Sequence, residues 1–253
     1  DDYGRQLAAD EDITAEIMTV GKSADADVRY QALAMNAGGI KASIDSPWGS
    51  AEFTLPLIGE FNLANAVTAI TALAVRGAGF EKLTAAAENL RPVAGRMELY
   101  RKDNAPLAVV DFAHTPDALS NVLQALAPWQ RDITCVFGCG GDRDRSKRPL
   151  MAKAALQHAD QVWLTDDNPR TEDPQQIFAD ALAGAENIHQ QHDRETAIRT
   201  ALEQTAAEGI VLIAGKGHEN YQDVMGVKHS YSDAAVLTTL GYQLAADRQE
   251  ASL

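Results

Sequence analysis

Cysteine is nearly absent from this chain. Two residues in 253, Cys135 and Cys139, rule out a disulfide scaffold. Their spacing also lacks the second ligand pair that a structural zinc site needs, so they read as buried thiols in or beside a strand. Positive charge is scarce as well. Lys and Arg total 22 against 36 Asp and Glu, a formal net charge of -14, which argues against a nucleic acid or an anionic membrane as the main partner. Any anionic ligand must be captured by a local basic cluster. No apolar run reaches the roughly 18 residues of a membrane span, and the polar start Asp1-Asp2-Tyr3-Gly4-Arg5 is not a signal peptide. The chain therefore reads as cytoplasmic. A Walker A loop is missing too. Ala214-Gly215-Lys216-Gly217 resembles one, but Ile210 stands where the first glycine belongs and Gly217 where Ser or Thr belongs.

What is present is apolar residue in quantity, 45% of the chain, enough for one large or two modest domains. The start, without a leading methionine, reads as the middle of a longer chain. Short strand-like runs at 16–20, 28–33, 40–44 and 51–55 are separated by Asn36-Ala37-Gly38-Gly39 and Asp45-Ser46-Pro47-Trp48-Gly49, the pattern of antiparallel hairpins. Helical spacing follows over 62–77 and 80–90, ending before Pro92. A domain boundary is expected between Val93 and Arg96.

Beyond it the period changes to strand–helix alternation, the mark of a mostly parallel sheet covered on both faces. Strands are expected at 107–112, 134–137, 161–164, 187–189 and 210–214. Helices are expected at 116–127, 148–158, 174–183 and 194–207, and Ser232-Asp233 opens a last one running to about Ala245. Ligands of such sheets sit at the carboxyl ends of the strands, and the unusual polar motifs fall there.

Asp111 and His114 end a strand before Pro116 and reach towards a ligand, the carboxylate suiting ribose hydroxyls and the imidazole a base face or a proton transfer. Gly138-Cys139-Gly140-Gly141-Asp142-Arg143 has the flavour of a phosphate or dinucleotide loop. Arg143 replaces the last glycine of that fingerprint, so an oxidoreductase reading is weak. With Arg145, Lys147 and Arg148 it forms the most basic stretch of the chain and suits an anion, Arg145 and Lys147 being the pair expected simply to face solvent. Thr165-Asp166-Asp167-Asn168-Pro169-Arg170 is a strand-to-helix loop. Pro169 stiffens it, so Arg170 is offered from a fixed turn to a carboxylate or phosphate. Gly215 lets a ligand approach the backbone, and Glu219 accepts from an ammonium group.

Together these motifs resemble the Mur ligases of peptidoglycan precursor synthesis, within which Asp-Asn-Pro-Arg marks the diaminopimelate-adding branch. The match runs through Gly59-Glu60-Phe61-Asn62-Leu63-Ala64-Asn65, Gly95-Arg96-Met97-Glu98, Asp111-Phe112-Ala113-His114-Thr115-Pro116-Asp117-Ala118-Leu119, Phe137 to Asp144, Asp166 to Arg170, and Gly215-Lys216-Gly217-His218-Glu219. Phe112 stands where the family often has tyrosine. The resemblance implies an α/β fold in which residues 1–95 are the tail of a central ATPase domain, hairpins plus helices. Residues 96–253 are then a Rossmann-like amino-acid-binding domain. It further implies ATP and Mg2+ as cofactors, with the P-loop, carbamoylated lysine and metal ligands upstream in a missing N-terminal half of the same enzyme. The implied reaction adds meso-diaminopimelate to UDP-MurNAc-L-Ala-D-Glu through an acyl phosphate. By resemblance, Asn65, Arg96, Asp111 and His114 contact ATP, while Arg143, Asp167, Asn168, Pro169, Arg170, Gly215 and Glu219 hold diaminopimelate. The alternatives are an amino-acid-binding module without chemistry, or a related ligase of the folylpolyglutamate type.

Overall fold

The computed structural model describes residues 2–245; Asp1 and residues 246–253, the outer ends of the two expected domains, lie outside them. The chain divides into two compact units, one up to Arg91 and one from Pro92.

The first unit contains helix α1 (Asp2–Ala8), strands β1 (Val20–Gly21), β2 (Val28–Asn36), β3 (Gly39–Ser46) and β4 (Gly49–Leu55), and helices α2 (Glu60–Val75) and α3 (Phe80–Ala87). β2, β3 and β4 pair antiparallel through the two tight turns that the Gly-rich punctuation predicts. Alternation along β3 and β4 points Ile40, Ala42, Ile44, Phe53 and Leu55 to one side, where they pack on Leu63, Val67, Ile70 and Phe80. The strand expected at 16–20 is corrected. Only Val20–Gly21 pairs, and it runs parallel to β2. The Thr19 amide and hydroxyl both donate to the Asp27 carboxylate, at 2.8 and 2.6 Å, which loops 22–27 back so that the chain re-enters in the same direction. α1 was not legible in the sequence.

The second unit contains β5 (Glu98–Arg101), β6 (Leu107–Asp111), α4 (Pro116–Leu126), β7 (Ile133–Cys139), α5 (Lys147–His158), β8 (Gln161–Asp166), α6 (Pro174–Ala181), β9 (His189–Gln190), α7 (Arg194–Gln204), β10 (Ile210–Ala214), β11 (Tyr221–Val224), β12 (Val227–Ser230), α8 (Asp233–Thr239) and β13 (Gln243–Leu244). Its main sheet has the order β13-β5-β6-β10-β7-β8-β9. β6, β10, β7, β8 and β9 are parallel, and β5 and β13 close the other edge antiparallel. α7 and α8 cover one face through Ala197, Ile198, Ala201, Leu202, Val236 and Leu237; α4, α5 and α6 pack in series. The last strand of the alternation, β10, returns to lie between the first two, β6 and β7. That return makes a switch point in the strand order and brings the loops after β6, β7, β8 and β10 to one carboxyl edge.

Two expectations change here. The last helix stops at Thr239, because Gly241 takes φ +86° and Gln243–Leu244 instead pairs with β5. β7 runs through Gly138 and Cys139, so Gly-Cys-Gly lies largely in the sheet and is not a nucleotide loop. Both cysteines are buried in β7, and burial pushes each thiol up to about 12, so both stay neutral.

Residues 88–94 are exposed and outside any helix or strand. The first unit also leaves Leu33, Trp48, Leu73 and Val75 exposed. Brief elastase digestion is therefore expected to cut at 88–94 and release a protected fragment beginning near Arg96, while the first unit is degraded sooner. Equal protection of both sides, followed by mass spectrometry, would count against unequal stability.

Candidate functional site

The site is built from loops that the sheet order places side by side. The loop after β7 (140–146) and the loop after β8 (167–173) are sewn together. The Gly141 amide donates to the Asn168 carbonyl at 2.9 Å, and Arg170 Nη1 returns a bond to the Gly141 carbonyl at 2.8 Å. Thr171 donates from its amide and hydroxyl to the Asp142 carboxylate, and the Asp142 amide donates to Glu172 Oε1. Gly141 is required here, since a methyl group on it would collide with the Pro169 carbonyl.

The basic stretch divides into different roles. Arg148 is only 2% exposed and donates to Glu172 Oε1 and Asp180 Oδ2, both at 2.7 Å, and to the Gly140 carbonyl at 3.3 Å. It is a strut and no anion reaches it, which corrects the expectation that it joins an anion cluster. Arg145 forks onto Asp180, at 2.8 and 3.0 Å, rather than merely facing solvent. Arg145, then Gln176 and Arg148, hold the Asp180 carboxyl below the usual carboxylate range. Among these cations Arg143 stays exposed, with one backbone contact to the Asp142 carbonyl at 3.3 Å.

Arg170 is half-buried and sits at φ +50°. A left-handed arginine is strained and must be held. The hairpin of β11 and β12 holds it: the Arg170 amide donates to the Asp223 carbonyl at 2.9 Å, and the Met225 amide donates to the Arg170 carbonyl at 2.7 Å. Nη1 also reaches the Asn168 carbonyl at 3.4 Å. Among the described residues Nε and Nη2 have no partner, so that edge remains for a ligand. Arg143 and Arg170 both border Gly140.

The loop after β10 carries Gly215, Lys216 and Glu219. Asp167 is 9% exposed, its carboxylate lies against Gly215, and it accepts no hydrogen bond from any described residue. Asn168 is 2% exposed. Its amide is bonded internally, Nδ2 donating to Glu219 Oε2 at 2.9 Å while Oδ1 accepts from Lys216 Nζ at 3.0 Å and the Asp223 amide at 2.9 Å. Asn168 therefore knots together three segments, and one of its two Nδ2 hydrogens has no partner among the described residues. Pro169 is buried and shapes the turn.

A second group lies beside the loop after β6. The Arg96 guanidinium sits over the Phe112 ring at 4.7 Å, with His114 at 4.7 Å edge-on and His218 at 5.4 Å. Arg96, His114 and His218 are exposed, so the group offers a cationic and aromatic surface. Gly95 and Gly217 make the join possible, because a methyl on either would strike the other's backbone. Asp111, expected to reach out to a ligand, is instead 4% exposed and accepts from the Met97 amide at 2.9 Å and the Ala113 amide at 2.7 Å. Burial holds its carboxyl above the usual range against those bonds. It clamps the loop that carries Phe112 and His114. Asn65 is exposed on α2 in the first unit. Lys216, His218 and the β11–β12 hairpin were missed by sequence reasoning; the adjacency of Lys216 to Glu219 was the one available signal.

Residues 95–217 match the family described as Mur ligase, glutamate ligase domain, and residues 1–73 match the Mur ligase middle domain. The chain is 44% identical over 242 residues to the UDP-N-acetylmuramoyl-L-alanyl-D-glutamate--2,6-diaminopimelate ligase of Chromobacterium violaceum, covering 93% of this chain and 49% of that protein. It is similar to a solved ligase structure of the same name, with 42% identity, a TM-score of 0.63, and coverage of 94% of this chain and 50% of that one. The fold is shared with folylpolyglutamate synthase from Thermotoga maritima, at 18% identity and a TM-score of 0.61, over 85% of this chain and 47% of that one. The chain spans about half the length of the curated relatives it matches.

Proposed function

The chain belongs to the Mur ligase family, and from that premise we propose that it supplies the amino-acid-binding half of a ligase that joins meso-diaminopimelate to UDP-MurNAc-L-Ala-D-Glu at the expense of ATP. Residues 96–253 form the amino-acid domain in this reading, and residues 1–95 belong to the central ATPase domain. The observation that carries it is the gathering of two arginines and two carboxylates on loops joined by hydrogen bonds. Arg143 and Arg170 border Gly140, the Asp167 carboxylate lies against Gly215, and Glu219 accepts from the Asn168 side chain next to Asp167. A substrate with two carboxylates and two ammonium groups needs both signs converging in this way.

The reacting nitrogen must lose its proton before its lone pair attacks the glutamyl carbonyl carbon and phosphate leaves. A carboxylate beside an ammonium favours the charged form. Asp167 and Glu219 therefore suit the ammonium that does not react, and the arginines suit the carboxylates. Arg96, Phe112, His114 and His218 offer a cationic, aromatic face to the nucleotide, positioned by Asp111. Magnesium is assigned no residue, since the described residues contain no group of three or more His, Cys, Asp or Glu able to hold a metal.

Calorimetry of the 253-residue chain should detect meso-diaminopimelate binding at least about tenfold tighter than L-lysine, a difference of about 1.4 kcal/mol. Equal affinity for the two, or no heat with either, would overturn this reading. The 253 residues contain no P-loop, without which the phosphates lose their backbone cradle and lysine. The isolated polypeptide is thus expected to release no phosphate from ATP with all substrates and magnesium present. Turnover near the usual enzyme median of roughly 10 per second in a phosphate assay contradicts that expectation.

A further inference from the structure

Lys216 is fully buried, and the proposed reaction makes no use of it. Its Nζ lies 3.0 Å from Asn168 Oδ1 and 3.1 Å from Glu219 Oε2, with the Tyr221 ring at 5.8 Å. An ammonium group is all donor, so whatever it touches must accept. Asn168 Oδ1 meets donors from two sides, Lys216 and the Asp223 amide, and this fixes which way the amide faces. Its NH2 must then turn to Glu219. Glu219 Oε2 is in turn held by two donors, while Oε1 accepts from no described residue. One carboxylate oxygen is anchored and the other is left for a ligand's ammonium.

We infer that Lys216 is a positioning residue that sets Glu219 and Asn168 so that the pocket distinguishes an amino acid carrying a second ammonium group from one without it. The inference rests on the reading that these loops take meso-diaminopimelate. Without the Lys216 charge, Asn168 Oδ1 and Glu219 Oε2 each keep a single donor, and the carboxylate is free to rotate away. The loss then falls on the second ammonium and spares the carboxylate contacts of Arg143 and Arg170, whose guanidinium groups are anchored on the Asp142 and Gly141 carbonyls and not on Lys216 or Glu219.

The test compares meso-diaminopimelate with L-2-aminopimelate, which keeps both carboxylates and lacks one amine, by calorimetry on the 253-residue chain. Lys216→Met should weaken meso-diaminopimelate by roughly 10-fold to 100-fold and L-2-aminopimelate by less than about twofold. Lys216→Arg, which restores charge and donors, should recover part of the loss. Equal weakening for both amino acids, or none for either, overturns the inference while the substrate reading stands. An unaltered chain that does not bind meso-diaminopimelate overturns the reading itself and the inference with it. Should Lys216→Met not fold, the unaltered chain still decides. The Asn168 side-chain NH2 resonances should shift with meso-diaminopimelate and not with L-2-aminopimelate. The same response to both ligands, or none, counts against Lys216.

Discussion

Arg170→Ala is expected to lower kcat/KM for meso-diaminopimelate by roughly 30-fold to several thousand-fold, once the chain is joined to a P-loop-bearing upstream half from a relative. The range corresponds to about 2 to 5 kcal/mol for breaking a desolvated charge pair. Lysine and diaminopimelate differ by one carboxylate at the far end of the side chain, so a fixed cation there is what separates them. Arg170 is fixed at both levels. Its backbone is gripped by Asp223 and Met225 in a left-handed conformation, and Nη1 is anchored on the Gly141 carbonyl. Nε and Nη2 are left to pair with the carboxylate. Lysine in the pocket leaves that edge desolvated and unpaired, and sites of this kind reject the poorer analogue by about 10⁴-fold or more. The poor rate with lysine should fall much less than the rate with diaminopimelate, or rise. Alanine keeps the same backbone strain, so the comparison isolates the guanidinium. If both substrates lose rate equally, Arg170 is a strut for the Gly141 turn and the selectivity belongs to Arg143.

Asp233→Ala is expected to destabilise the second unit by about 3 to 5 kcal/mol. Arg194 and Asp233 are both fully buried, forked at 2.8 and 2.9 Å, with Tyr231 donating to the same carboxylate at 3.1 Å. Arg194 Nη2 also donates to the Ala214 carbonyl at 3.0 Å, beneath the loop that carries Gly215. Removing the carboxylate leaves a buried guanidinium without its counter-charge. At about 2 to 4 °C per kcal/mol for a domain of this size, the melting transition should drop by roughly 6 to 20 °C. Replacing both partners with apolar residues, Arg194→Met with Asp233→Leu, should cost less than Asp233→Ala alone, because no charge is stranded. A loss below about 1 kcal/mol in thermal or urea denaturation would mean that the pair is relaxed or hydrated.

Much of this was legible without a structure. Turn residues and period-two alternation located β2, β3 and β4, since hairpin contacts are local and each strand shows its buried face in its own residues. Strand–helix alternation located β6, β7, β8 and β10 for a similar reason, whereas β9 forms at His189–Gln190 and not over 187–189. The sequence also placed Arg143, Asp167, Arg170, Gly215 and Glu219 at strand ends, where an α/β sheet keeps its ligands. The Mur ligase resemblance rested on those segments together with 59–65, 95–98 and 111–119, in order.

Local pattern carries no record of strand order, however. β10 slides between β6 and β7, though at least 70 residues of chain separate it from either, and only that long-range pairing sets the Gly215–Glu219 loop beside both the Phe112 and Asp167 loops. Burial of charge was equally invisible. Arg143, Arg145 and Arg148 look alike in one basic stretch, yet one is exposed, one pairs at the surface and one is a buried strut. The difference lies in Glu172 and Asp180, which reach them from the next strand–helix unit. Asn168 and Lys216, and Arg194 and Asp233, are partners across 48 and 39 positions. Sequence by itself determined which residues could do chemistry; tertiary structure decided which of them remain free to do it, because a side chain's partners come from whichever segments the sheet brings alongside.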